Sequence, residues 1–189
     1  MNTRHVMTLM IGFVLVGFMA QAQNKYVGVK MCSMCHKTEK QGKQSDIWQK
    51  SKHAEAYKAL TTDKANEFAK ARGSAKPAAE TPECLECHTS AYTMDTKLVE
   101  KAFNFKDGVQ CETCHGSGSK YKDLVTMKSK EKSVAAGMKE FKDNAAIEKF
   151  CRTCHNEKSP SYKEFKFDEF WAKIKHPLPK AGQSARTGL

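Results

Sequence analysis

Nowhere after residue 22 does the 189-residue sequence contain a long run of Val, Ile and Leu, the usual material of a hydrophobic core. That shortage excludes a conventional side-chain core, and it excludes a later segment apolar enough to span a bilayer. Lysine is distributed throughout, and composition alone would place much of the chain near disorder. Histidine is scarce, with seven residues in all. Something other than side chains has to supply the apolar interior.

The first 22 residues follow a different rule. A short basic start, Met1 to His5, precedes an apolar run from Val6 to Ala20, and Ala20 and Ala22 give the spacing of a signal-peptidase site. The pattern predicts a secretory signal over 1–22 and a single mature domain over 23–189; an uncleaved anchor is the alternative. No cysteine stands at the cleavage point, which argues against a lipid-anchored form. The mature chain is expected in the periplasm with no integral membrane span.

The formal charge of +11 becomes +10 when Arg4 leaves with the signal. Excess lysine can signal nucleic acid. Here it has a simpler account, as counter-charge to acidic groups held within the fold, so no nucleic-acid partner is expected.

No cysteine is left over from a single pattern. The pairs Cys32/Cys35, Cys84/Cys87, Cys111/Cys114 and Cys151/Cys154 are each followed at once by a histidine: His36, His88, His115 and His155. Two thiols separated by two residues can add across the two vinyl groups of one haem, and the following imidazole then lies where it can bind the iron. Zinc sites and disulfides use paired cysteines too, but neither needs histidine next each time. With 7 histidines in 189 residues, four such coincidences have a probability of about 10⁻⁶. The motif predicts four covalently attached haem c groups.

Spacings of 52, 27 and 40 residues between first cysteines rule out an even repeat. The connections read as short helices and loops. Ser45 or Asp46 can cap a helix carrying Ile47, Trp48, Ala54, Tyr57 and Leu60, and a second helix runs from Asp63 to Arg72 and stops at Gly73. Residues 73–82 form a linker, 144–150 lead helically into Cys151, and Asp168 can cap a helix ending at His176 before Pro177 and Pro179. Val99 to Gln110 has some strand character, with a hairpin turn at Asp107-Gly108. The expected fold is mainly α: an irregular arrangement of short helices and long loops packed around four haems.

Outside the motifs only His5, His53 and His176 remain, and His5 goes with the signal. His53 and His176 are therefore the candidate distal ligands, against readings as an exposed helix histidine and a helix C-terminal charge. At most two haems can be bis-histidine within the chain. Met94, Met127 and Met138 are candidate ligands for the others, although methionine more often fills gaps; a water-bound or open iron is the further alternative.

Several segments resemble the tetrahaem cytochrome c-554 family of periplasmic multihaem cytochromes. They are Val27-Gly28 ahead of Cys-Ser-Met-Cys-His-Lys at 32–37, Trp48, and Ser51-Lys52-His53-Ala54 running on to Leu60. Gly108-Val109-Gln110-Cys111-Glu112 with Cys114-His115-Gly116, and Phe165-Lys166-Phe167-Asp168-Glu169 leading to His176, complete the set. The resemblance implies a mainly helical fold with closely stacked haem pairs, an electron carrier, and distal roles for the residues matching His53 and His176. It also implies one five-coordinate haem and, in nitrifying members, electrons accepted from hydroxylamine oxidoreductase. The family expects a third distal histidine after the third motif, and Ser117 to Lys142 contains none.

The reading is a periplasmic protein relaying single electrons, meeting redox partner proteins with acidic docking surfaces. The alternative is a reductase of nitric oxide or another small nitrogen species, or a ligand-binding protein, acting at an open haem. No Arg/His/Tyr constellation nominates a proton donor for such an enzyme; Tyr92 and Tyr121 are isolated candidates.

Overall fold

Caps and turns, more than long apolar stripes, decide where the helices of this chain begin and end. The structure is a computed structural model and describes residues 23–178. The expected signal over 1–22, which includes His5, and Pro179 lie outside the described residues. The α-helices are α1 (Val29–Ser33), α2 (Gln44–Gln49), α3 (Ala56–Ala59), α4 (Asp63–Ala71), α5 (Pro82–His88), α6 (Cys111–His115), α7 (Leu124–Met127), α8 (Lys130–Ala135), α9 (Asn144–Cys151) and α10 (Phe167–Ile174). Side-chain oxygens of Thr62, Asp123, Ser129 and Asp143 accept backbone N–H groups at the starts of α4, α7, α8 and α9. Pro82 occupies the first turn of α5, where its missing N–H costs nothing. The fold is mainly helical with irregular loops, as expected.

Three local expectations are corrected. The helix drawn through Ile47 to Leu60 is two helices, α2 and α3, separated by a turn over residues 50–55. Ser45 does not cap it, because its buried hydroxyl pairs with Ser33 at 2.6 Å; α2 starts instead from Lys43, held at φ 51°. The Ser51 hydroxyl donates to the Trp48 carbonyl at 2.6 Å and helps close the last turn of α2. Second, the hairpin near Asp107-Gly108 is absent. Phe105–Asp107 form a 3₁₀ turn capped by Asn104, and Tyr26–Val99 is the one β-bridge among the described residues. Burial of Phe103, edge-on to Phe105 at 5.1 Å, overrides the alternation. Third, α10 starts from Lys166 and stops at Ile174, leaving His176 beyond the helix in irregular chain. Pro177 disfavours helical backbone at the residue before it, which ends the helix early.

The interior bears out the shortage of apolar runs. Leu60, Ala69, Ala78 and Leu85 form one small buried cluster, with Tyr57 and Tyr92 packed against it. Gln110 and Glu112, both 2% exposed, are instead the largest fully buried side chains. They act as a polar keystone. Glu112 accepts from the backbone N–H of Val27 (2.9 and 3.0 Å), Gly28 (2.7 Å) and Gly118 (2.7 Å), and the Gln110 carbonyl oxygen accepts from Val29 N–H at 2.7 Å. Side chains bracketing Cys111 thereby satisfy the N–H groups that open α1. The first and third motifs are fixed to each other through this contact.

Candidate haem-attachment sites

A Cys-x-x-Cys-His segment wound as a helical turn puts its two sulfurs and its imidazole on one face, because positions i, i+3 and i+4 are neighbours there. Such turns are α6 and the end of α5. The first and fourth motifs start in α1 and α9 and finish in the turns that follow, where His36 N–H donates to Cys32 O at 3.1 Å and His155 N–H to Cys151 O at 3.0 Å. All eight cysteines are free thiols, and no group of three or more His, Cys, Asp and Glu side chains among the described residues converges as a metal cage.

The four motifs meet in a definite order. Cys32 lies beside Cys111, and His36 lies within electrostatic reach of His115. Cys87 lies beside Cys154, a neighbour that lowers the Cys154 thiol pKa to about 6, and His88 is within electrostatic reach of His155. Cys114 lies close enough to Cys151 and Cys154 to feel their charge; burial is the larger cause that raises its thiol to about 11. First is therefore paired with third and second with fourth, and the third and fourth motifs join the two pairs.

The structure brings each candidate distal histidine to one particular motif. His53, in the turn between α2 and α3, has its ring centre 6.0 Å from that of His155. The His176 ring is 5.8 Å from that of His115. Two imidazoles on opposite sides of one metal ion, each with a nitrogen about 2.0 Å from it, have ring centres about 6 Å apart. The spacings fit shared ligation, and tilts of 58° and 36° are not those of stacked rings. No histidine ring meets His36 or His88 in this way among the described residues. Met94 is partly exposed, and the Met127 sulfur accepts the Ser133 hydroxyl at 3.9 Å.

Residues that the sequence did not nominate orient these rings. His88 Nδ1 is 2.7 Å from the Ala56 carbonyl, which can only accept, so this nitrogen carries the proton and Nε2 is left for metal. The Gln44 carboxamide lies 3.3 Å from His36 Nδ1 and donates to Pro177 O at 3.0 Å, tying the first motif to the segment bearing His176. His155 stacks on Phe165 at 4.7 Å, and Phe165 stacks on Phe170 at 5.4 Å. Tyr121, an isolated proton-donor candidate, is engaged structurally: its hydroxyl donates to the carbonyls of Gly116 (2.6 Å) and His115 (3.1 Å), and burial raises its pKa. Only the partner geometry reveals these roles, since an isolated Gln or Phe has no motif.

Burial lowers the pKa of His53, His155 and His176, with that of His115 pushed down to about 4. The neutral imidazole, the form that binds metal, is thus favoured. Depressed histidines contribute stability above their ordinary value of 6.5 that is lost as pH falls through the folded-state values. Glu112 acts oppositely: burial raises its pKa, so its contribution is lost as pH rises. Four histidines shift this way against one carboxyl, and the polypeptide before haem attachment should lose denaturant resistance from pH 6.5 towards pH 4. Denaturant melts at stepped pH check this; constant or rising resistance on acidification would count against it.

Motifs of this kind are the attachment sites of c-type cytochromes, in which haem c is covalently bound. Residues 31–116 match the family described as "Cytochrome c554 and c-prime". The chain is also similar to "Cytochrome c-554" of Nitrosomonas europaea (strain ATCC 19718 / CIP 103999 / KCTC 2705 / NBRC 14298), at 26% identity over 144 residues. That match covers 71% of this chain and 59% of the relative, so the chain spans well under two thirds of the relative's length. Together the two matches support the cytochrome c-554 family for this chain. No solved structure matches it. The family match includes the first three motifs and His53; the fourth motif and His176 lie beyond it. No helix among the described residues is long and apolar enough to cross a membrane.

Proposed function

We propose that the chain is a periplasmic electron-transfer protein, exported by cleavage of residues 1–22, with residues 23–189 forming one domain that holds four covalently attached haem c groups. Haem c supplies reversible one-electron iron chemistry when bound. The chain's own part is to attach and orient: Cys32, Cys35, Cys84, Cys87, Cys111, Cys114, Cys151 and Cys154 take the vinyl groups, and His36, His88, His115 and His155 are the proximal ligands. His53 serves the fourth motif and His176 the third. The observation that carries this reading is the pair of imidazole spacings, 6.0 and 5.8 Å, between motif and non-motif histidines. The close order first–third–fourth–second supports a relay, because it leaves no attachment site isolated. Redox partner proteins with acidic docking surfaces suit the lysine-rich exterior.

Haem quantification and mass spectrometry of the exported protein should give four haems per chain and an N-terminus at Gln23. EPR of the His53→Ala and His176→Ala variants should each show one low-spin haem turned high-spin. Fewer than four haems, or unchanged spectra in both variants, would defeat the assignment. A second reading rests on His36 and His88, which meet no second imidazole among the described residues. Those positions suit a nitric-oxide-binding or nitric-oxide-reducing haem, and an absence of spectral change on adding nitric oxide to the ferrous protein eliminates it.

A further inference from the structure

Leu124 and Val125, neighbours on α7, are 61% and 70% exposed. Solitary exposed leucines are ordinary, but this pair is held out by a locked scaffold. Asp123 caps α7 by accepting the N–H groups of Val125 (3.0 Å) and Thr126 (2.9 Å). Ser129 caps α8, and the buried Ser133 on α8 donates to Thr126 O at 3.0 Å, fastening the two helices together. Residues 117–142 carry seven lysines against three acidic residues. Lys122 is paired with Glu100 and Lys130 with Glu140, whereas exposed Lys120, Lys128 and Lys132 make no ion pair among the described residues. The hairpin is also fastened to the third motif. Lys139 N–H donates to His115 O at 2.8 Å, and Tyr121, three residues before Leu124, bonds Gly116 O at 2.6 Å.

We propose that the α7–α8 hairpin is the docking surface for an acidic redox protein, with Leu124 and Val125 as its apolar centre, Lys120, Lys128 and Lys132 as its charged surround, and the third motif as the attachment site it serves. The proposal rests on the electron-transfer reading above and assigns that activity an entry point. A small apolar centre within a charged rim is the anatomy of weak, rapidly exchanging interfaces. Positive rim charges speed encounter with an acidic partner, while the apolar pair sets how long the complex lasts. Net charge of +4 over residues 117–142, the segment that carries the hairpin and is anchored to one motif, favours such a partner over a second copy of this basic chain.

The test uses the exported holoprotein and a plant-type [2Fe–2S] ferredoxin as the acidic probe. Carbodiimide cross-links should map to Lys120, Lys128 and Lys132. The double variant Leu124→Ser/Val125→Ser, altered only at exposed positions, should raise Kd about three- to tenfold with its salt dependence unchanged. Lys128→Glu/Lys132→Glu should slow association by about tenfold or more and flatten its dependence on ionic strength. Cross-links elsewhere, or wild-type binding by both double variants, would overturn the proposal. So would variants whose only defect is in self-association or in binding phosphatidylglycerol vesicles. If the holoprotein exchanges no electrons with any donor or acceptor while dithionite still reduces it, the electron-transfer reading itself fails; normal exchange by both variants removes the hairpin alone.

Discussion

Glu112→Ala is expected to be the most damaging single substitution outside the haem motifs' own cysteines and histidines, with a loss on the order of 4 kcal/mol or more. The carboxylate is 2% exposed and accepts three backbone N–H groups, from Val27, Gly28 and Gly118. Alanine strands these donors without water, and each buried unpaired donor costs about 1–3 kcal/mol. Removing a desolvated charge returns part of this, since burial already raises the Glu112 pKa. The balance still favours loss, because hydrogen bonds to a charged acceptor are the strong ones.

Glu112→Gln separates charge from geometry. Gly28 N–H points at one carboxylate oxygen and Gly118 N–H at the other, so a carboxamide must face one donor with its NH₂ group. About 1–3 kcal/mol should be lost. The variant should also mature with incomplete haem at the first and third motifs, because Glu112 and Gln110 hold the opening of α1 against α6. Denaturant melts and haem-peptide mass spectrometry provide the readouts. A Glu112→Gln protein as stable as the parent, with four haems attached, would show that the keystone is dispensable.

The attachment motifs could be read from the sequence, and the packing could not. Cys-x-x-Cys-His is a local motif: the spacing that prepares it for haem is read in five consecutive residues. Cap-and-stop signals are equally local, so the ends of α4 and the run into Cys151 could be anticipated. The failures come from contacts distant in sequence. Ser45 looks like a cap until Ser33 takes its hydroxyl, and the helix through His53 looks continuous until Val109 claims the His53 carbonyl at 2.9 Å. Partnership of His53 with His155, across about a hundred residues, leaves no local trace. Glu112 reads as a surface residue between two cysteines, and only the folded chain turns it into a buried acceptor.

Gly108→Ala should displace His53 from His155 without touching either histidine. Gly108 adopts φ 74° and ψ −143°, a region that residues with a side chain strongly avoid. A Cβ built there lies 2.5 Å from the His53 carbonyl oxygen and 3.1 Å from that of Ala54, both backbone atoms with no freedom to swing aside. The adjacent Val109 N–H donates to the same His53 carbonyl, and the Trp48 indole N–H grips Val109 O at 2.7 Å, so the two segments cannot part cheaply. The expected cost is about 2–4 kcal/mol, above the usual range for a surface substitution. More telling is where the damage appears. If His53 ligates the fourth-motif haem, one low-spin EPR signal should be lost, as in His53→Ala, while the His115–His176 signal persists. Trp48→Phe, which keeps an aromatic ring but removes the donor, should weaken the same signal less. An unchanged low-spin signal in a folded Gly108→Ala protein would mean that the turn over 50–55 does not position the ligand, and that His53 is held by something other than its own backbone.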